Sequence, residues 1–126
     1  MSEIAWVIDR LASPTPVPMP QVGELQDAIA RWWFKLKGQH MPAQAHRNLP
    51  GAIAFSHAPA GLGAAVAFLE AALPDADWQV CKGGGCTVLY GSTKDGSDVL
   101  DEGVQTAPTP ALGVLISALR AIEASK

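Results

Sequence analysis

The sequence predicts an α+β domain in which three to four helices pack on a small antiparallel sheet centred on a β-hairpin at residues 78–90. Two observations predict this class. Apolar residues recur with helical spacing in four segments that begin near residues 4, 25, 62 and 112. Between the last two of these, the segments "DWQV" and "TVLYG" flank three consecutive glycines, as the strands of a hairpin flank its turn.

The first half of the chain predicts two helices joined by a linker. Apolar residues from Ile4 to Leu11 share one face of a short helix. Residues 13–20 contain four prolines and predict a stiff, extended linker within a single domain that spans residues 1–126. The segment "GELQDAIARWWFKLKG" predicts an amphipathic helix with acids near its start, lysines near its end and Gly38 as its terminator.

The second half predicts shorter elements and then two further helices. Gln39–Gly51 has the composition of a loop, and Ala52–Phe55 predicts a short strand. The alanine-rich segment "SHAPAGLGAAVAFLEAALP" predicts a helix that Pro74 ends. The segment "TAPTPALGVLISALRAIEASK" predicts the final helix, with Thr109 as its cap and Pro110 in its first turn.

The segment "VCKGGGCTV" is the most obvious candidate for chemistry. A phosphate-binding loop opens a helix, whereas a strand follows these glycines. A zinc site on Cys81 and Cys86 needs a second pair of ligands. No histidine lies at a distance along the sequence that is typical of zinc sites. A disulfide between the two cysteines requires a register in which they face each other. A tight hairpin turn is the interpretation that the strand pattern favours.

The register of this hairpin follows from the apolar alternation. If the loop is Gly83–Gly85, Val80 lies opposite Val88 and Trp78 opposite Tyr90, so all four side chains share one face. This register places Cys81 and Cys86 on opposite faces, and we expect free thiols. Residues near Val99 predict a third short strand.

Charge and targeting signals exclude several classes of protein. The net charge is −3 without a concentrated basic patch, which argues against a nucleic-acid partner. The uncharged run at residues 48–69 contains two prolines and three glycines, so we expect no membrane span. The N-terminus lacks the pattern of a secretory signal, and two cysteines fit a reducing cytoplasm. No motif indicates a cofactor.

Candidate functional residues are few, and none forms a catalytic or metal-ligating signature. His40 and His46 lie in the predicted loop beside Arg47, and His57 precedes a helix start, where backbone N–H groups favour an anion. Phe34 lies on the polar side of its helix and suits a subunit contact. The candidate binding residues are Trp33, Phe34, His40, His46, Arg47 and His57.

The C-terminal part resembles a known family. "PAGLGAAVAFLEAALPDADWQV", the hairpin segment "CTVLYG" and "VQTAPTPALGVLISALRAIEA" resemble the phage ABA-sandwich family over about residues 52–124. The resemblance implies helices packed around a short antiparallel sheet in a small phage or prophage protein. It implies no catalytic residues.

The predicted function is that of a non-enzymatic phage or prophage accessory protein. We expect it to bind a host protein or a small host metabolite in the host cytoplasm, to counteract host defence, and to form a homo-oligomer. Two alternatives stay open: a small enzyme that depends on cysteine and histidine, and a structural component of the virion.

Overall fold

The structure is a computed structural model that describes residues 4–58, 60–74, 77–80, 87–90, 99–101 and 109–124. The helices are α1 (Ile4–Ala12), α2 (Met19–Lys37), α3 (Ala43–Ala54), α4 (Ala60–Ala72) and α5 (Pro110–Ala124). The backbone also forms the short strands β1 (Asp77–Val80), β2 (Thr87–Tyr90) and β3 (Val99–Asp101), which pair antiparallel in the order β1-β2-β3.

The predicted α+β sandwich, with three to four helices packed on a sheet, is wrong. The described part of the chain contains five helices. Of the residues whose side chains the structure describes, 79% lie in helices and none lies in a strand, because the side chains of the three short strands are outside that set. The helices bury their apolar faces mainly against one another: α3 packs on α4, α4 on α5, and α2 on α3. The described core is therefore a helical assembly, and α5 is the helix that lies against the strands.

The largest single difference from prediction is α3. The sequence predicts a loop at residues 39–51 and a strand at Ala52–Phe55, because Pro50 and Gly51 interrupt the segment. Pro50 instead lies inside the helix, where a proline removes one backbone hydrogen bond at a cost of about 3 kcal/mol. Packing offsets that cost, since α3 buries Ala45, Leu49, Ala52 and Ile53 along one face.

The predicted hairpin register is also wrong, by one residue. Trp78 pairs with Leu89 rather than with Tyr90, and Val88 pairs with Gln79 rather than with Val80. Apolar alternation is only one of the terms that set register; turn geometry and the second pairing of β2, with β3, contribute as well. The predicted Gly83–Gly85 loop and the predicted free thiols of the two cysteines lie outside the described residues.

Helix α5 forms the centre of the core. Its residues 111–119 are all buried, so the helix is covered on every side rather than along the single stripe that the sequence predicted. Helices α1 and α4 and the three strands contact it. Among the described residues, no helix combines the length and the apolar character needed to cross a membrane.

The Arg10 side chain holds the proline-rich segment between α1 and α2. The Arg10 guanidinium donates to the carbonyl oxygens of Thr15 and Pro16 at 3.0 and 3.1 Å, and its Nε donates to Gln21 Oε1 at 2.7 Å. Val17, which belongs to the segment, has a buried side chain. The linker is therefore attached to both flanking helices, and α2 begins at Met19 with a proline in its first turn.

The α3–α4 turn is tied to the start of α5. Thr109 Oγ1 accepts the Leu112 N–H at 3.2 Å, which confirms the predicted cap, and donates to the Ser56 carbonyl at 2.5 Å. At the same turn, Gly61 is buried against the Phe55 carbonyl so closely that a Cβ at this position would overlap it.

We predict opposite effects for two glycine substitutions in α4. Gly61→Ala forces a methyl group onto the Phe55 carbonyl and lowers the free energy of unfolding by about 1–3 kcal/mol. In Gly63→Ala the new methyl group lies in open space on the same helix, so the free energy of unfolding rises by about 0.5–1 kcal/mol. Urea unfolding monitored by circular dichroism measures both. Equal effects of the two changes would contradict the close approach at Gly61.

We predict that the Thr109 hydroxyl stabilises the α5 junction. Thr109→Val keeps the shape but removes the cap and the bond to the Ser56 carbonyl, so the free energy of unfolding falls by about 1–2 kcal/mol. Thr109→Ser retains the hydroxyl and serves as the matched control, with a clearly smaller loss. The same urea titration compares the two, and a valine variant as stable as the serine variant would refute the junction.

Candidate functional site

A surface pocket of about 560 Å³ lies where α2 and α3 meet. Its volume is within the range of small-molecule sites, about 300–1,000 Å³. Three structural parts contribute to it: one face of α2, the connection between the helices, and the first two turns of α3. The described lining residues are Ala30, His40, Met41, Ala43, His46 and Arg47.

Helix α2 supplies one wall through residues spaced four apart. Gln26, Ala30 and Phe34 follow one another along a single row of the helix surface. At one end of the row, Gln26 Nε2 lies 3.5 Å from His46 Nε2, at the long limit of a hydrogen bond. At the other end, the Phe34 ring contacts the His40 ring with centroids 5.0 Å apart and planes tilted by 45°. Ala30 lies between these contacts, and its small side chain leaves the pocket open.

The connection between the helices depends on Gly38. This residue adopts the left-handed conformation, with φ of 73°, and its N–H donates to the Phe34 carbonyl at 2.9 Å. Glycine suits this cap because the conformation places no Cβ in conflict with the backbone. The reversal brings His40 against Phe34, and the buried side chain of Met41 anchors the segment in the core.

Helix α3 supplies the second wall from its first two turns. Ala43, His46 and Arg47 have the spacing that places side chains on one helix face. The helix begins after Pro42, whose carbonyl accepts the His46 N–H at 3.0 Å. Because the sequence suggested a loop here, the shared face of His46 and Arg47 was not expected.

The structure gathers part of the predicted candidate set. His40, His46 and Arg47 line the pocket, and Phe34 contacts His40 beside it. Trp33 is buried in the core, and its Nε1 has no hydrogen-bond partner within the described part of the chain. His57 lies half-buried in the α3–α4 turn and is not among the residues that line this pocket.

Three lining residues were missed: Ala30, Met41 and Ala43. Small and apolar side chains carry no chemical signature, so their role becomes visible only when two helices are placed together. A broader signal was present in the sequence, however. Residues 28–69 contain four Lys or Arg residues and all three histidines but no Asp or Glu. The net charge of −3 for the whole chain does not reveal this stretch.

The chemistry of the pocket is that of binding groups. Its described lining offers a guanidinium and two imidazoles, and no carboxylate, hydroxyl or thiol. Among the described residues, no group of three or more His, Cys, Asp or Glu side chains is arranged to hold a metal ion. The described lining can therefore donate hydrogen bonds and attract negative charge.

We predict that Phe34 shifts the imidazole proton resonances of His40 through its ring current. In Phe34→Leu those resonances move toward the positions of a solvent-exposed histidine, because the contact at 5.0 Å is lost. Phe55→Leu removes a similarly exposed ring at the end of α3 and is the matched control, with the His40 signals unmoved. Two-dimensional NMR of the imidazole groups makes the comparison. Unchanged His40 signals in Phe34→Leu would show that the two rings do not meet.

Comparison of the chain with protein-family models, with curated proteins and with solved structures finds no match. The resemblance to the phage ABA-sandwich family stays a prediction on the residues that suggested it.

Proposed function

We propose that the protein is a non-enzymatic binding protein that takes up a small metabolite in the α2–α3 pocket. The pocket itself is the observation that carries this proposal. Its volume of about 560 Å³ suits a metabolite, and its described lining combines apolar surface with a few convergent polar groups. Such a combination is typical of ligand sites, in which the apolar part supplies affinity and the polar part fixes orientation.

The described lining favours binding over turnover. Nucleophilic catalysis needs a nucleophile within hydrogen-bond reach of a base, and the described lining offers imidazoles without a hydroxyl, thiol, amine or carboxylate beside them. The Gln26 amide lies 3.5 Å from the His46 ring, and an amide is neither a nucleophile nor a base for catalysis. Stoichiometric capture of a metabolite requires only the pocket.

The biological setting is part of the same proposal. A phage or prophage accessory protein in the host cytoplasm can counteract host defence by sequestering a small host molecule. The resemblance of residues 52–124 to phage proteins motivates this setting. The homo-oligomer stays a prediction, and the exposed side chains of Trp6, Phe34 and Phe55 are available for such a contact.

A host protein is the main alternative ligand. Phe34 is 47% exposed beside the pocket, and exposed aromatic side chains often anchor protein partners. The enzyme and virion alternatives predict different observations. An enzyme would consume the bound molecule, whereas a virion component would be found in purified particles by mass spectrometry.

We predict that filling the pocket abolishes metabolite binding. Ala30→Trp places a large side chain in the middle of the α2 wall, while Ala12→Trp makes the same change at an exposed position on α1 and serves as the control. Each purified protein is dialysed against a bacterial metabolite extract, and retained compounds are identified by mass spectrometry. We expect one compound or class to be enriched by the wild type and by Ala12→Trp and lost in Ala30→Trp.

Two results would contradict the proposal. Equal retention by Ala30→Trp and by the wild type would show that the ligand binds elsewhere. Conversion of the retained compound during dialysis would favour the enzyme alternative.

A further inference from the structure

The stretch of sequence that contributes the described pocket lining contains basic residues and no acidic ones. The whole chain carries a net charge of −3, yet residues 28–69 hold Arg31, Lys35, Lys37 and Arg47 with no Asp or Glu. This stretch includes the second half of α2, the connection to α3, all of α3 and the start of α4. All the described residues that line the pocket lie within it. The described lining of the pocket therefore carries a guanidinium and no carboxylate, although the protein as a whole is acidic.

Arg47 contributes a permanently charged guanidinium to the described lining. Its side chain is exposed, and it makes no hydrogen bond or ion pair within the described part of the chain. A guanidinium presents its donors in a planar fork that matches the paired oxygens of a carboxylate or phosphate. His40 and His46 lie in the same lining and can each donate a ring N–H to such a group. The described lining supplies donors and positive charge without a competing carboxylate.

The start of α3 also favours an anion. Its first turn contains no acidic residue, and no side chain caps its N-terminus. The dipole of an uncapped helix end favours a nearby anion. Ala43, at the start of the helix, itself lines the pocket. The three basic lining side chains carry the inference, and the helix end acts in the same direction.

We propose that the ligand of the α2–α3 pocket is a small oxyanion, a metabolite that bears a phosphate or carboxylate group bound by Arg47. This inference rests on the proposed function, because it names the chemical class of the metabolite. The negatively charged group lies among Arg47, His46 and His40. The remainder of the metabolite contacts the apolar side, formed by Ala30, Met41 and Ala43.

The test is an NMR titration of the full chain with pyrophosphate, with citrate and with neutral glucose, at about 150 mM salt to screen weak surface attraction. The anions are expected to shift the backbone amides of residues 43–47 saturably, whereas glucose leaves them unmoved. In Arg47→Ala, the dissociation constants for pyrophosphate and citrate rise about tenfold or more, since a charge-assisted hydrogen bond to the anion is lost. Arg47→Lys keeps the charge but not the fork and gives a smaller rise.

Arg31→Ala is the matched control, because Arg31 is exposed in the same basic segment and is not among the described lining residues. The dissociation constants of the Arg31→Ala protein for pyrophosphate and citrate are expected to stay within about twofold of the wild-type values, because screened surface charges contribute little. Equal weakening by Arg31→Ala and Arg47→Ala would overturn the inference, because it would indicate attraction to general surface charge.

The titration also separates this inference from the proposed function. If neutral compounds from the metabolite extract occupy the pocket and neither anion shifts residues 43–47, the oxyanion inference fails and metabolite binding stands. If nothing binds in either experiment, both fail. Anion binding that Arg47→Ala weakens about tenfold or more and Ala30→Trp abolishes supports both the oxyanion inference and the proposed metabolite binding.

Discussion

Burial of α5 on every side is the constraint on which the rest of the structure depends. A helix that is apolar all round is stable in water only when other elements cover it, and here α1, α4 and the strands contact it. Thr109 connects the start of α5 to the Ser56 carbonyl, so the turn between α3 and α4 is held against it. Helix α3 then packs along α4, and α2 packs on α3, which closes the described core.

The pocket is a consequence of this order of packing. Helix α2 contacts α3 at the periphery, and the small side chains of Ala30 and Ala43 leave space between them. Gly38 reverses the chain so that His40 lies against Phe34 at the edge of that space. The polar lining groups project from the surface rather than from the core. The site can therefore change its chemistry with little effect on the stability of the helices beneath it.

The sequence predicted the helices whose apolar spacing is uninterrupted. The buried faces of α1 and α2 follow their periodicity closely, and the cap at Thr109 is where the sequence placed it. It failed at α3, where Pro50 and Gly51 oppose a helix locally and burial against α4 outweighs them. For the candidate site, polar and aromatic residues were recognisable by type. The sequence did not show that these residues line one pocket, because their arrangement depends on the helical spacing of Ala43, His46 and Arg47.

The sequence by itself determined which residues are apolar, where four of the helices run, and that His40, His46 and Arg47 lie close together along the chain. Only the tertiary structure decided that helices pack mainly on helices, that the segment around Pro50 is helical, and that Ala30 belongs to the pocket. The physical reason is that local propensities amount to at most a few kcal/mol per residue, whereas burial of whole helix faces sums over many side chains. Contacts between segments distant in sequence therefore settle what local patterns leave open.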